Sequence, residues 1–344
     1  MASIDLADIE MPDNSLGLRV KRFYGERFRR ALVEMEFFDR ARKISSDESH
    51  VYLPVLKMDD QSAAKLRLMA EFELVPFNFE SEEHIQTVEE MLGFRPSFEV
   101  VGDIAMVEEI EAEKVASALL STSKSIKTVI APISDVEGEF RTRRFRHVAG
   151  EVSTVTTHKE HGLRYRVDLE GAYFTPRLGT ERLRIAGLVR PTDVVLDMFA
   201  GVGPFALLLA KRVARVIAID KNPLAVKYLR ENASLNKIEN IEILEGDANV
   251  LALPYENMAD HVIMNLPHSA SRFLIAAMKA AKTGGTVHYY CIAPEDDLYK
   301  DEALIRAAAQ QMGYSVEVLY RSIVRSYAPH RHNVVIDFMV QKSQ

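Results

Sequence analysis

Residues 197–206 read Asp-Met-Phe-Ala-Gly-Val-Gly-Pro-Phe-Ala. Glycines at 201 and 203, with a small residue at 206, let the backbone turn tightly and approach a ligand. A helix starting near Pro204 would aim its N-terminal N–H groups at that ligand. The pattern Gly201-x-Gly203-x-x-Ala206 satisfies the dinucleotide fingerprint, and Asp220 follows about 20 residues on, placed to accept ribose hydroxyls. Taken alone, these residues suit NAD. Three further features suit S-adenosylmethionine better. Asp197 precedes the glycines, where it can hold a cofactor ammonium; Asp247 can accept from an adenine amino group; Asn265-Leu266-Pro267 closes a later strand. Hydride transfer would need a further site, for which the sequence offers no candidate. The expected cofactor-binding set is Asp197, Phe199, Gly201, Gly203, Asp220, Asp247 and Asn265.

Such residues act together only if strand ends bring them to one edge. Strands are expected at 194–196, 216–219, 241–244, 261–264 and 287–292, with helices at 204–212, 223–236, 269–282 and 297–312. Asn222 is a good N-cap and Pro223 a good first helical residue, and Gly284-Gly285 is expected to stop the third helix. This alternation predicts a doubly wound, mostly parallel α/β sheet. Strands at 316–324 and 334–340, with no helix between them, predict an antiparallel terminal hairpin. Upstream, 97–107 reads as strand with a kink or bulge at Gly102-Asp103, followed by a helix at 112–120, a strand at 128–133 and paired strands from 140 to 168. Residues 18–44 read as one or two charged helices, 51–56 as strand, 62–72 as helix and 84–92 as a short helix. Two smaller α+β domains (1–80 and 81–155) are therefore expected ahead of a catalytic domain at 156–344.

Composition bounds the rest. The chain has 344 residues, 47% hydrophobic and 27% charged, in the globular range, with no apolar run long enough to cross a membrane. Residues 1–13 are acidic and lack the features of a signal peptide, and the single Cys291 excludes an internal disulfide framework. The expected setting is the reducing cytoplasm. His288 and Cys291 read as core, and the other histidines show no metal-ligand spacing, so no metal is expected. The net charge of −7 argues against a generic polyanion binder, yet residues 141–190 carry eleven Lys or Arg against five Asp or Glu. Further cations stand at Arg19, Lys21, Arg22, Arg27, Arg29 and Arg30, and at Arg321, Arg325, His330 and Arg331. Such clusters suit phosphate contacts or a plain solvated face.

The run Asp197 to Phe205, with Asn265-Leu266-Pro267 downstream, resembles the archaeal and eukaryotic tRNA (guanine-37, N1) methyltransferase family. So do Tyr173-Phe174-Thr175-Pro176-Arg177 with Glu181-Arg182, Gly285 to Tyr290, Ser326 to Pro329 and the stretch 98–107. The resemblance implies a class I methyltransferase-type sheet, S-adenosylmethionine as cofactor and tRNA as partner, through both anticodon loop and body. It implies no membrane and no obligatory protein partner, and a monomer is expected. The N-terminal domain would read tRNA shape.

N1 of neutral guanine carries a proton, so its methylation needs a base near N1 and a donor near O6. The resemblance places the base at Glu181 and the donor at Arg141. The residues leave room for an alternative, since Arg177, Arg182 or Arg184 could pin Glu181 in a salt bridge. Asn265 offers an amide to a base edge, Pro267 shapes its loop, and Tyr173 can pack on base or cofactor. Arg143 and Arg144, with Tyr173 and Pro267, complete the expected RNA-binding set. Aminocarboxypropyl transfer to a modified tRNA guanine and a catalytically silent RNA-binding module remain as alternatives; Asp-Met-Phe-Ala-Gly-Val-Gly kept together with Asn-Leu-Pro favours plain methylation.

Overall fold

Along residues 15–21, Leu18 and Val20 are buried while Arg19 and Lys21 point outward, a period of two that makes a strand. In the computed structural model, which describes residues 15–82, 86–136 and 138–342, this strand is β1 (Ser15–Lys21). The helix expected from residue 18 therefore starts later, because helical spacing takes over only with Phe28 and Leu32 on α1 (Gly25–Glu34). The acidic tract 1–13 and the start of the helix expected at 84 lie outside the described residues.

The chain divides into two compact units, 1–86 and 87–344. In the first, β2 (Ser45–Ser46), β3 (His50–Pro54), α2 (Asp60–Arg67) and β4 (Glu73–Phe77) complete an antiparallel sheet of order β2-β3-β1-β4. Strand β4 was not expected from its residues. It contains Pro76, which a sheet tolerates at an edge such as this one. Leu18, Val20, Phe28, Leu32, Leu53 and Leu66 form the core of this unit.

In the second unit, α3 (Val88–Leu92), β5 (Phe98–Val101), β6 (Ile104–Val107), α4 (Ala112–Thr122), β7 (Thr128–Pro132) and β8 (Phe145–Gly150) build a sheet of order β5-β6-β7-β8. Gly102-Asp103 is not a bulge. Val101 pairs with Ile104, so the two residues are the turn of a hairpin, and Gly102 adopts the left-handed backbone that turn requires. A second hairpin, β9 (Val155–Glu160) and β10 (Leu163–Asp168), leads into α5 (Gly179–Ala186).

The remaining elements alternate: β11 (Val194–Asp197), α6 (Pro204–Ala210), β12 (Arg215–Asp220), α7 (Pro223–Leu235), β13 (Ile241–Glu245), α8 (Ala248–Leu251), β14 (Ala259–Met264), α9 (Leu274–Ala280), β15 (Ala281–Pro294), α10 (Asp301–Gln311), β16 (Tyr314–Ala328) and β17 (Arg331–Lys342). They form a seven-stranded sheet of order β13-β12-β11-β14-β15-β17-β16, parallel from β13 to β15 and closed by the antiparallel β16–β17 hairpin. Val216 to Ile219 are all fully buried, the continuous apolar run of a strand covered on both faces. The helix expected at 269–282 is shorter, and Gly284-Gly285 lies inside β15 instead of capping it. A side chain at Gly285 would meet the Ala259 carbonyl, so glycine lets β15 approach β14 at its irregular start.

Two asparagines one turn apart, Asn232 on α7 and Asn236 at its C-terminal cap, bind the β9–β10 hairpin to the sheet domain. The Asn232 amide accepts from the Arg166 N–H at 2.7 Å and donates to the Arg166 and Val202 carbonyls at 3.0 Å. Asn236 repeats this with the N–H and carbonyl of Arg164. Backbone groups of β10 are thereby paired, and the hairpin is fixed beside the glycine turn.

Candidate active site

The carboxyl ends of β11, β12, β13 and β14 open on one cavity of about 690 Å³, within the range of small-molecule sites. The chain leaves β11 through Gly201 and Gly203, at φ 55° and 95°, both in the left-handed region that glycine adopts without strain. A side chain at Gly203 would also strike Leu229 and Leu207, so this glycine permits α6 to pack closely on α7.

Asp220, at the end of β12, fixes the turn. Its Oδ2 accepts from Gly201 N–H at 2.7 Å and its Oδ1 from Asn222 N–H at 2.8 Å. It also lines the cavity, and each oxygen keeps a lone pair for a ligand hydroxyl. Burial pushes its carboxyl pKa up, against the pull of those N–H groups. Asp247 follows β13 and caps α8 through Asn249 N–H at 2.8 Å. Its other oxygen lies 4.0 Å from Lys221 Nζ. Phe199 forms part of the wall, edge-on to Phe273 at 4.8 Å.

Asp197 and Gly203 do not line the cavity. Asp197 is 1% exposed, its Oδ2 has no hydrogen-bond partner, and burial, helped by the charge of Asp220, pushes its carboxyl up to about 7. It sits behind the turn it was expected to serve from the front.

At the other end, Asn265, Leu266 and Pro267 follow β14, and Ile292 N–H holds the Pro267 carbonyl at 3.1 Å. The loop before β8 brings in Arg141, tied down by the Glu139–Lys221 ion pair. Arg141 has a left-handed backbone, and its guanidinium stands 5.7 Å over the Tyr173 ring. Arg141, Tyr173, Asn265 and Pro267 thus share one cavity with Asp220 and Asp247; Arg143 and Arg144 stay outside it. Sequence reasoning missed Lys221, Arg182 and Asn333 as lining residues. Arg182 is 2% exposed, donates to Glu160 at 2.7 and 2.8 Å, and packs over Phe174 and Phe205. Its place in the Pro-Arg-Leu-Gly-Thr-Glu-Arg run was the one available signal.

Glu181 is not on the cavity wall. It is buried, and its carboxylate accepts from Arg184 at 2.7 and 2.9 Å and from the Tyr290 hydroxyl at 2.6 Å. Arg184 also donates to Asp337 at 2.7 Å, and His288 Nδ1 lies 2.8 Å from Asp337. Burial alone would raise the Asp337 carboxyl, but His288 and Arg184 outweigh it and hold it low. The salt bridge that the sequence left open as an alternative therefore exists, with Arg184 as the partner. His288 and Cys291 are buried in β15, as expected of core residues.

The basic segment also thins out. Arg146 pairs with Glu109 and Glu113, Arg166 with Glu231, Arg177 with Glu99, and Arg182 and Arg184 as described. Arg141, Arg143, Arg144, Lys159, Arg164 and Arg190 have no carboxylate partner among the described residues. Among these residues there is also no cluster of metal-ligating side chains, and no helix is long and apolar enough to cross a membrane.

Residues 156–318 match the family described as TRM5/TYW2 methyltransferase domain, 17–63 the tRNA methyltransferase 5 N-terminal domain, and 83–154 the TYW2 N-terminal domain. The chain is 40% identical over 334 residues to a Pyrococcus abyssi protein named tRNA (guanine(37)-N(1))-methyltransferase Trm5b, covering 95% of this chain and 99% of that one. The chain belongs to this methyltransferase family. Another family member, the tRNA(Phe) (4-demethylwyosine(37)-C(7)) aminocarboxypropyltransferase of Pyrococcus horikoshii, is 32% identical but covers 71% of this chain and 88% of its own length. The solved complex of aTrm5 and tRNALeu superposes with a TM-score of 0.69 at 33% identity, covering 94% of this chain and 99% of that one. Methanocaldococcus jannaschii TYW2 in complex with AdoMet superposes at 0.59 with 27% identity, covering 72% and 100%. The family's class I methyltransferase fold is the seven-stranded sheet described above.

Proposed function

We propose that this chain transfers a methyl group from S-adenosylmethionine to N1 of guanosine-37 in tRNA, using Arg141 as the O6 donor and Glu181 as the base. The observation that carries this reading is the shared cavity: acids suited to a nucleoside cofactor at one end, and Arg141, Tyr173, Asn265 and Pro267 at the other. The residues fit the cofactor. The glycine turn leaves room for close approach, Asp220 has lone pairs for the ribose hydroxyls, and Asp247 has an exposed oxygen for an adenine amino group. Bound S-adenosylmethionine supplies an electrophilic methyl group on a sulfonium.

The protein's own work is at the base. Arg141 offers guanidinium N–H groups to O6, where negative charge develops as N1 loses its proton. Asn265 presents its amide to the base edge, and Tyr173 offers a face for stacking. To take the N1 proton, the Glu181 carboxylate must leave Arg184 and Tyr290 and turn toward the cavity. Asp337 makes that affordable, since Arg184 keeps one carboxylate partner when Glu181 departs.

Coverage favours methylation over aminocarboxypropyl transfer, because the Trm5b relative matches 95% of the chain and the aminocarboxypropyltransferase 71%. In this reading, residues 1–80 read tRNA shape, 81–155 carry the basic segment with Arg143 and Arg144, and 156–344 perform the reaction. One chain suffices, since it supplies all the residues assigned here, and the single buried Cys291 suits the cytoplasm.

Two labelled cofactors test the proposal, each on unmodified tRNA transcripts and on tRNA carrying the modified guanine at position 37, with nucleoside mapping of the product. Methyl-labelled cofactor is expected to put label into N1-methylguanosine at position 37. Label carried into tRNA by carboxyl-labelled cofactor would establish aminocarboxypropyl transfer, and no transfer from either would leave a silent binding module.

A further inference from the structure

Arg325 projects from β16, the strand farthest along the sheet from the Asp247 end of the cavity, and lines the same cavity. Its Nε is enclosed without a hydrogen-bond partner, and its Nη2 lies 3.5 Å from the Tyr173 hydroxyl, at the limit of a hydrogen bond. Among the described residues it has no carboxylate partner, whereas Arg321, four residues earlier on β16, pairs with Glu302 at 2.6 Å. An enclosed donor of this kind costs stability unless something binds it.

The surroundings say what that something is. Arg141 covers the face of Tyr173 while Arg325 reaches its hydroxyl, so two guanidinium groups without counterions converge on a ring that is 40% exposed. His268, on the same wall, is held below the ordinary histidine pKa by burial and by the charges of Arg141 and Arg331. The carboxylates of the cavity are elsewhere: Asp220 and Asp247 belong to the cofactor end, and Glu139 is taken by Lys221. This end of the cavity is an anion site. A nucleotide drawn into the cavity brings two formal anions with it, the phosphodiesters 5′ and 3′ to its ribose. A planar guanidinium matches phosphate oxygens in geometry and charge.

We infer that Arg325 binds the backbone phosphate flanking the guanosine that enters the cavity, and so positions the nucleotide for methyl transfer. This rests on the methylation reading above. It makes Arg325 a positioning residue, distinct from Arg141, which addresses the base.

The test is a cycle between residue and phosphate. Ligated tRNA carries a neutral methylphosphonate at the linkage 5′ or 3′ to guanosine-37, and wild type is compared with Arg325→Ala in single-turnover kcat/KM. One of the two neutral linkages is expected to slow wild type about 10–100-fold, the range for a charge-assisted hydrogen bond. Arg325→Ala is expected to show that loss on native tRNA and little further loss on the neutral linkage. Its salt slope for tRNA binding should fall by about one. Binding of S-adenosylhomocysteine reports on the fold, and Arg325→Met, which keeps most of the stem, carries the same comparison should the alanine variant fail to fold. Wild type indifferent to both linkages, or losses that multiply independently in the variant, would overturn the inference while leaving methylation intact. Wild type that fails on native tRNA would refute methylation itself, and this inference with it.

Discussion

Replacing Glu181 by Gln separates the two roles that the structure allows this residue. Its Oε1 accepts from Tyr290 and Arg184, and its Oε2 from Arg184 Nε at 2.9 Å. A glutamine amide keeps one of these oxygens and turns an NH2 group toward a donor in place of the other. Removing a buried pair's partner can cost about 3–5 kcal/mol. Here Arg184 is partly exposed and retains Asp337, which brings the expected loss to about 1–3 kcal/mol. That stability loss follows from the geometry whether or not Glu181 is the base, and thermal unfolding would measure it. If Glu181 takes the N1 proton, the single-turnover rate should also fall about 10²–10⁴-fold. Affinity for tRNA and S-adenosylhomocysteine should change little, because the interaction matters in the transition state. The acidic limb of the wild-type pH–rate profile, where the base becomes protonated, should disappear in the variant. The assay is quench-flow with saturating enzyme, well below the melting temperature of either protein and across pH. A Glu181→Gln enzyme that melts earlier yet keeps its rate and pH profile would refute the base assignment and leave Glu181 as the anchor of Arg184.

Asp220→Ala should weaken S-adenosylhomocysteine binding by at least tenfold in calorimetry, because it removes a charged acceptor and unties Gly201 from β12, while NAD should not bind either protein. Asp197 binds a proton more tightly folded than unfolded, so it lowers stability as pH rises from its ordinary 3.8 toward about 7. Asp197→Asn should therefore flatten the fall in melting temperature between pH 5 and 8, by an amount worth at most about 3 kcal/mol; an unchanged slope would mean that Asp197 titrates normally. Arg143→Glu with Arg144→Glu should weaken tRNA binding and flatten its salt dependence, and an unchanged slope would mark these side chains as solvent-facing.

What was legible in the sequence was local. A strand followed by glycines and a helix, an acid at the next strand end and an N-capping Asn222 before Pro223 are each written in a few neighbouring residues, and the parallel sheet with its terminal hairpin follows from their alternation. Even there, a short-range signal could mislead. The helical spacing of Phe28 to Phe38 suggested helix from residue 18, where Leu18 and Val20 had already committed β1 to a period of two, and Gly284-Gly285 suggested a helix stop where β15 needed close approach to β14. What only the tertiary structure decided was which way each charge faces. Arg146, Arg166, Arg177 and Arg182 look like RNA-binding cations in sequence, but their carboxylate partners lie far along the chain and claim them. Glu181 finds Arg184 three residues away, yet Tyr290 and Asp337, which complete its cage, stand 109 and 153 residues distant from it and from Arg184 respectively. Asp197 lies next to the glycine turn in sequence and behind it in space. An ionisable side chain's role depends on its partners and its burial, and both are set by chain segments that meet only when the sheet closes.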